Sequence, residues 1–239
     1  MPTPPLLLGH RGAGAAAAHP ENTIESFDAA LQQGCDGFEF DVRLTGGGCA
    51  VVCHSPEVAG VNLSVTMKEE ISGLIALQDV LSRYAARSFL DIELKVPGLE
   101  SAVLVALAAS PPQKGYVVSS CLPEVLESLR VRSETIPLGL ICSETPQLAR
   151  WRELPVQYVI LQHSLARREL LYDIRDTGKK SFLWTVNDRD DMLRFAEWGA
   201  DGIISDEVPL MVRTLREKLG PGAGGGGHLH HLLCLFQAA

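Results

Sequence analysis

Short apolar runs alternate with amphipathic segments along nearly the whole chain, an alternation that specifies parallel strands joined by crossover helices. The apolar runs predict strands over Pro5–His10, Gly37–Leu44, Ser88–Lys95, Tyr116–Ser120, Ile136–Cys142, Gln157–His163, Ser181–Val186 and Asp201–Ser205. Helical periodicity predicts helices over Asn22–Gln33, Leu77–Tyr84, Leu99–Ala109, Pro123–Arg130, Pro146–Leu154, Ala166–Thr177, Asp188–Trp198 and Val208–Leu219. In the first helix Ile24, Phe27 and Leu31 make one apolar stripe, with Asn22 expected as N-cap and Glu25 three residues on, as in a capping box. Eight strands and eight helices in strict alternation predict an α/β fold, the (β/α)8 TIM barrel, whose functional groups collect at the C-terminal ends of the strands.

Two segments depart from the alternation. Thr45–His54 reads as a turn and a short extra strand, and the mostly polar stretch 55–72 as a short capping insertion after the second strand. Gly220–Gly227 has the composition of a flexible linker, and 228–239 is a short apolar tail bearing His228, His230 and His231. The expected organisation is therefore one barrel domain over 1–219 and a disordered end over 220–239.

Composition narrows the possible roles. With 46% hydrophobic and 21% charged residues among 239, the chain can bury a sizeable core, which excludes disordered, collagenous and coiled-coil classes. Twenty-one basic against twenty-nine acidic residues leave a net charge of −8, the wrong sign for binding a nucleic-acid backbone. No apolar run reaches the ~18 residues of a membrane span. Met1 to Leu8 is too short for a secretory signal, so a cytoplasmic location is expected. The six cysteines lack CxxC spacing, and neither zinc nor disulfides are read from them. The oligomeric state is left open.

Strand parity sets out the candidate chemistry. Residues two apart face the same way, so Glu39 and Asp41 project together from the second strand, and Asp91, Glu93 and Lys95 from the third. Glu39, Asp41 and Glu93 match the needs of a hard divalent ion, Mg2+ or Ca2+. The competing reading pairs these acids with Arg43 and Lys95 as ordinary ion pairs. His10 and His54, at the ends of the first and the extra strand, are able to divide acid and base roles, or to be structural histidines. Arg11 and Lys95 suit a phosphate, and Gly12 permits close backbone approach. Trp184 stands either at the barrel mouth or in an interior layer; His163 and Ser120, at two other strand ends, are weaker lining candidates, and His19 is read as a surface residue.

His10-Arg-Gly12, Pro20-Glu-Asn-Thr23, Glu39-Phe-Asp-Val42, Val51-Val-Cys-His54, Glu93-Leu-Lys95, Trp184-Thr-Val-Asn187 and Asp201-Gly-Ile-Ile-Ser-Asp206 occur in order and in register. Together they make the chain, from about Leu7 to Leu219, resemble the glycerophosphodiester phosphodiesterases. The resemblance implies a barrel-fold, metal-dependent hydrolase that cleaves glycerophosphodiesters to sn-glycerol 3-phosphate and an alcohol. It maps metal ligands onto Glu39, Asp41 and Glu93, catalytic histidines onto His10 and His54, phosphate-binding groups onto Arg11 and Lys95, and a substrate aromatic onto Trp184. The chain departs from the family in having Ser55, not Asp, after the second histidine, in its short insertion, and in Cys121 after Ser120. The short insertion leaves lysophospholipids as alternative substrates, by a lysophospholipase D activity. Ser55 is the feature that favours a barrel that binds glycerol phosphates without cleaving them.

Overall fold

The computed structural model describes residues 3–14 and 19–219, with side chains described through residue 216. The linker and tail read at 220–239 lie outside the described residues. The strands are β1 (Leu6–Gly9), β2 (Gly37–Leu44), β3 (Ala50–Val52), β4 (Glu57–Val58), β5 (Val61–Asn62), β6 (Ile75–Ala76), β7 (Phe89–Leu94), β8 (Tyr116–Ser120), β9 (Leu138–Cys142), β10 (Tyr158–Gln162), β11 (Lys180–Trp184) and β12 (Gly202–Ser205). The helices are α1 (Ile24–Gln32), α2 (Leu77–Tyr84), α3 (Glu100–Ala109), α4 (Pro123–Arg132), α5 (Thr145–Leu148), α6 (Arg168–Asp176), α7 (Arg189–Trp198) and α8 (Val208–Leu219).

Strands β1, β2 and β7 through β12 run parallel in a ring, closed where β1 pairs with both β2 and β12, so the expected TIM barrel is the observed fold. The extra strand β3 pairs antiparallel with β2 and carries β6 on its other side. The insertion contains the β4–β5 hairpin and two turns of 3-10 helix, Leu63–Val65 and Lys68–Glu70.

The parity of β2 decides what faces the interior. Phe38, Phe40 and Val42 are fully buried on its outer face, where Phe38 stacks on Phe27 of α1 at 4.2 Å and meets the edge of Tyr84 of α2 at 5.0 Å. Truncating a ring of this kind to alanine costs about 3–5 kcal/mol. With that face committed to the helices, Glu39 and Asp41 have to point into the barrel. The lower interior is apolar, filled by Leu8, Phe89, Val117, Ile141, Tyr158, Ile160, Phe182 and Ile204. Gly202 makes room there, since a Cβ would lie 2.6 Å from the Phe182 ring.

Two local expectations fail. The helix expected over Pro146–Leu154 is helical only over Thr145–Leu148 and continues as turns. The N-cap of α1 is Thr23, whose Oγ1 accepts the Ser26 N–H at 3.2 Å, and not Asn22. The Asn22 amide is engaged elsewhere, as its role in the site makes clear.

Candidate active site

Parallel register sets Glu39 beside Asp91 and Asp41 beside Glu93, so β2 and β7 stack four carboxylates in two tiers inside the barrel. One oxygen each from Glu39, Asp41 and Glu93 lie within 4.8 Å of one another. Burial, and then the neighbouring Asp41, Glu93 and Asp91, push the Glu39 carboxyl well above the usual range, with Arg11 opposing. Burial raises Glu93 as well, against the field of Lys95. Burial alone would also raise Asp41, but Lys95, Arg11, Asn22 and His54 together hold it below its ordinary value. Asp91 is pushed up to about 7 by burial, although Ser119 Oγ donates to its Oδ1 at 2.5 Å.

A tight turn after β1 supplies the next contacts. Arg11 and Asn22 both adopt left-handed backbone conformations, with φ of 52° and 59°, uncommon for such residues outside constrained sites. Gly12 follows at φ 96°, where a Cβ would come within 2.4 Å of Ser26 Oγ. The turn aims the Arg11 N–H at Glu39 Oε2, 3.0 Å away. Asn22 donates through Nδ2 to Asp41 Oδ2 at 2.8 Å and takes the Asp41 N–H on its Oδ1 at 3.3 Å. That two-point bond is why Asn22 does not cap α1.

The basic groups lie against the acids. Arg11 places Nε 3.2 Å from Asp41 Oδ2 and bonds both Glu21 oxygens through one terminal nitrogen at 3.0 Å. Lys95 Nζ is 2.7 Å from Glu93 Oε1 and 3.4 Å from Asp41 Oδ1. The ion-pair reading therefore holds for Lys95 and fails for Arg43, whose Nε donates to the His54 carbonyl at 2.6 Å. Glu39 Oε1 and Asp41 Oδ1 nevertheless remain buried with no hydrogen-bond partner. Leaving carboxylate oxygens so is costly, and a hard divalent cation satisfies them, so the residues present fit such an ion.

Opposite the acids, His10 Nδ1 is 2.8 Å from Asp206 Oδ1 and its Nε2 is 3.8 Å from Glu39 Oε2. Asn187 Nδ2 donates to Asp206 Oδ2 at 2.9 Å, while Asn187 Oδ1 accepts the Asp206 N–H at 2.9 Å. Burial would raise the Asp206 carboxyl, but the bonds from His10 and Asn187 hold it below its ordinary value. An ionised Asp206 only accepts, so Nδ1 of His10 donates this hydrogen bond, which leaves Nε2 on the side of Glu39. Burial lowers the pKa of His54, with Asp41 opposing. No hydrogen bond joins the Ser55 side chain to His54 among the described residues.

A narrow cleft opens inside the barrel, lined by His10, Glu39, Asp91, Glu93, Trp184, Ile141, Ile160 and Ile204. The structure thus gathers His10, Glu39, Glu93 and Trp184 at one cavity and ties Asp41, Arg11 and Lys95 to them by ion pairs. His54 is not on this cleft and lines a second groove with Glu21 and Asn22. His163 begins a turn of 3-10 helix (His163–Leu165) and is not on the cleft wall. Ser120 is spent on backbone, donating to the Leu94 carbonyl at 2.7 Å and accepting the Leu122 N–H at 3.1 Å. Sequence reasoning assigned nothing to Asn22 beyond a cap, nor any role to Asp206, Asn187 or Asp91. The first three stand inside runs already singled out, and parity had placed Asp91 on the interior face.

The chain matches the glycerophosphoryl diester phosphodiesterase family over residues 10–74 and 101–210. A glycerophosphodiester phosphodiesterase of Caldanaerobacter subterraneus subsp. tengcongensis is 27% identical over 246 residues, covering 89% of this chain and 98% of that protein. Among solved structures, an Oleispira antarctica phosphodiesterase in complex with the product sn-glycerol-3-phosphate superposes with a TM-score of 0.77 at 26% identity, covering 88% of this chain and 96% of that one. A glycerophosphodiester phosphodiesterase from Parabacteroides distasonis has a TM-score of 0.81 at 20% identity, over 91% of this chain and 99% of that one, a likeness of fold alone.

Proposed function

Because the chain belongs to the glycerophosphoryl diester phosphodiesterase family, we propose that it hydrolyses glycerophosphodiesters to sn-glycerol 3-phosphate and an alcohol, with a divalent cation and two histidines. The observation that carries this reading is the cluster of Glu39, Asp41 and Glu93, with two buried oxygens lacking any hydrogen-bond partner. These three are the residues to hold Mg2+ or Ca2+, whose chemistry there is Lewis-acid stabilisation of the charge that builds on the phosphoryl oxygens.

The protein's own groups supply the rest. Arg11 and Lys95, already in the field of the acids, bind the phosphate oxygens, Arg11 through its planar fork and Lys95 as a point charge. His10, its Nδ1–H fixed on Asp206, presents Nε2 to take the proton of the attacking hydroxyl, from water or from the substrate's own glycerol. His54 protonates the leaving alkoxide. Burial holds its pKa down in the free protein, and the arriving phosphodiester anion favours the imidazolium. Trp184 covers the glycerol end of the substrate in the cleft.

A second reading, lysophospholipase D activity at the same site, is favoured by Val61, Val65 and Met67, exposed apolar side chains on the insertion. Competition between long-chain lysophosphatidylcholine and glycerophosphocholine separates the two. The primary test is release of glycerol 3-phosphate from glycerophosphocholine, with and without a chelator, by wild type, Glu39→Ala and His54→Ala. Release that survives excess chelator and the Glu39 change discards the metal role. Turnover retained by His54→Ala removes that residue from the acid–base pair.

A further inference from the structure

Asp91 is 1% exposed, and Ser119 Oγ satisfies only its Oδ1. Its Oδ2 is buried without a hydrogen-bond partner in the protein, and Asp91 is one of the residues that line the cleft. A buried carboxylate oxygen left unpaired costs far more than a paired one contributes, so such an atom marks a place where a donor is to arrive. Asp91 stands outside the group of three carboxylates whose oxygens converge for a cation. Trp184, which lines the same cleft, also buries its Nε1–H without a partner. Ile141, Ile160 and Ile204 supply the apolar part of the lining, beside His10, Glu39 and Glu93. One acceptor and one donor beside three isoleucines suit a short carbon chain bearing hydroxyls.

We propose that Asp91 Oδ2 accepts a hydrogen bond from a hydroxyl of the substrate's glycerol moiety and thereby selects glycerol diesters over diesters without that hydroxyl. The inference rests on the phosphodiesterase reading and adds the residue that reads the retained half of the substrate. Asp91 is a binding residue here, with no part in proton transfer.

The test is titration calorimetry of the full chain, supplemented with Mg2+, against sn-glycerol 3-phosphate and against propyl phosphate, which has the same carbon chain and no hydroxyls. Wild type is expected to prefer glycerol 3-phosphate by about fivefold or more, the scale of one hydrogen bond to a buried group. In Asp91→Asn, which keeps the volume and the Ser119 bond, and in Asp91→Ala, which removes the acceptor outright, the ratio of the two dissociation constants is expected to fall toward one. A ratio preserved in both variants overturns the proposal, including the case where both ligands weaken together. Equal affinity of wild type for the two ligands overturns it without any variant. Failure of the phosphodiesterase reading shows differently, as absence of turnover of glycerophosphocholine by wild type.

Discussion

His10 and Asp206, 196 positions apart in the chain, meet at 2.8 Å between Nδ1 and Oδ1. An asparagine at 206 would offer an N–H to the same nitrogen, driving the imidazole proton onto Nε2 and removing the lone pair that faces the acids. Asp206→Asn is therefore expected to lower kcat by about 10²–10⁴-fold with KM nearly unchanged. Steady-state kinetics on glycerophosphocholine check this; a KM effect with kcat intact would place Asp206 in binding instead.

Burial and the repulsion of three neighbouring carboxylates disfavour a charge on Glu39. In the ion-free protein Glu39→Gln relieves that repulsion and retains an acceptor for the Arg11 N–H. It is expected to melt about 2–4 °C above wild type in excess chelator, the shift that ~1 kcal/mol gives in a domain of this size. Added Mg2+ or Ca2+ should raise the Tm of wild type and scarcely that of the variant. Thermal scans with and without the ions measure both; an equal ion effect on the two proteins would contradict the ligand assignment.

Asp28 joins α1 to α2, accepting from Arg83 at 2.6 Å, Arg87 at 2.7 Å and the Tyr84 hydroxyl at 3.0 Å. Partial burial would raise its carboxyl, but the bonds from Arg83, Tyr84 and Arg87 hold it below the ordinary value of 3.8. On acidification the unfolded chain takes up this proton before the folded one does. The stabilisation is thus full above that ordinary value and is lost as pH falls through the folded pKa. Asp28→Asn should lower Tm by about 2–4 °C near pH 7, with the gap to wild type closing on acidification below the ordinary carboxylate value. Melting curves across that range read the gap directly.

Gly12→Ala tests the turn. A methyl group at φ 96°, 2.4 Å from Ser26 Oγ and 2.7 Å from the Ser26 carbonyl carbon, forces the backbone to shift. Expected losses are about 1–3 kcal/mol of stability and at least tenfold in kcat/KM, because the shift moves the Arg11 N–H off Glu39. Chemical denaturation and kinetics on the same preparation measure the two.

The barrel was legible because its strands carry apolar runs long enough to outweigh their polar residues. Gly37–Leu44 and Tyr116–Ser120 have the boundaries that the pattern predicts. Where the pattern fails, a local competitor wins. Asn22 looks like a cap by type and spacing, yet Asp41 takes its amide and Thr23, one residue later, supplies the oxygen. The carboxylate cluster follows from period-two parity, which a sequence displays. The bonds of Asp206 and Asn187 do not, because nothing in a linear pattern says which end of the ring is sewn to which. Ser120 shows the opposite case: position at a strand end suggested a wall, but the hydroxyl is turned to the backbone.

The pairing of β1 with β12, Gly9 beside Ser205, closes the ring one residue before His10 and one before Asp206. The His10–Asp206 pair thus straddles the join between the first and last strands of the ring. Under the proposed roles, a change that loosens this join frees the imidazole from Asp206 while the acids stay seated on β2 and β7.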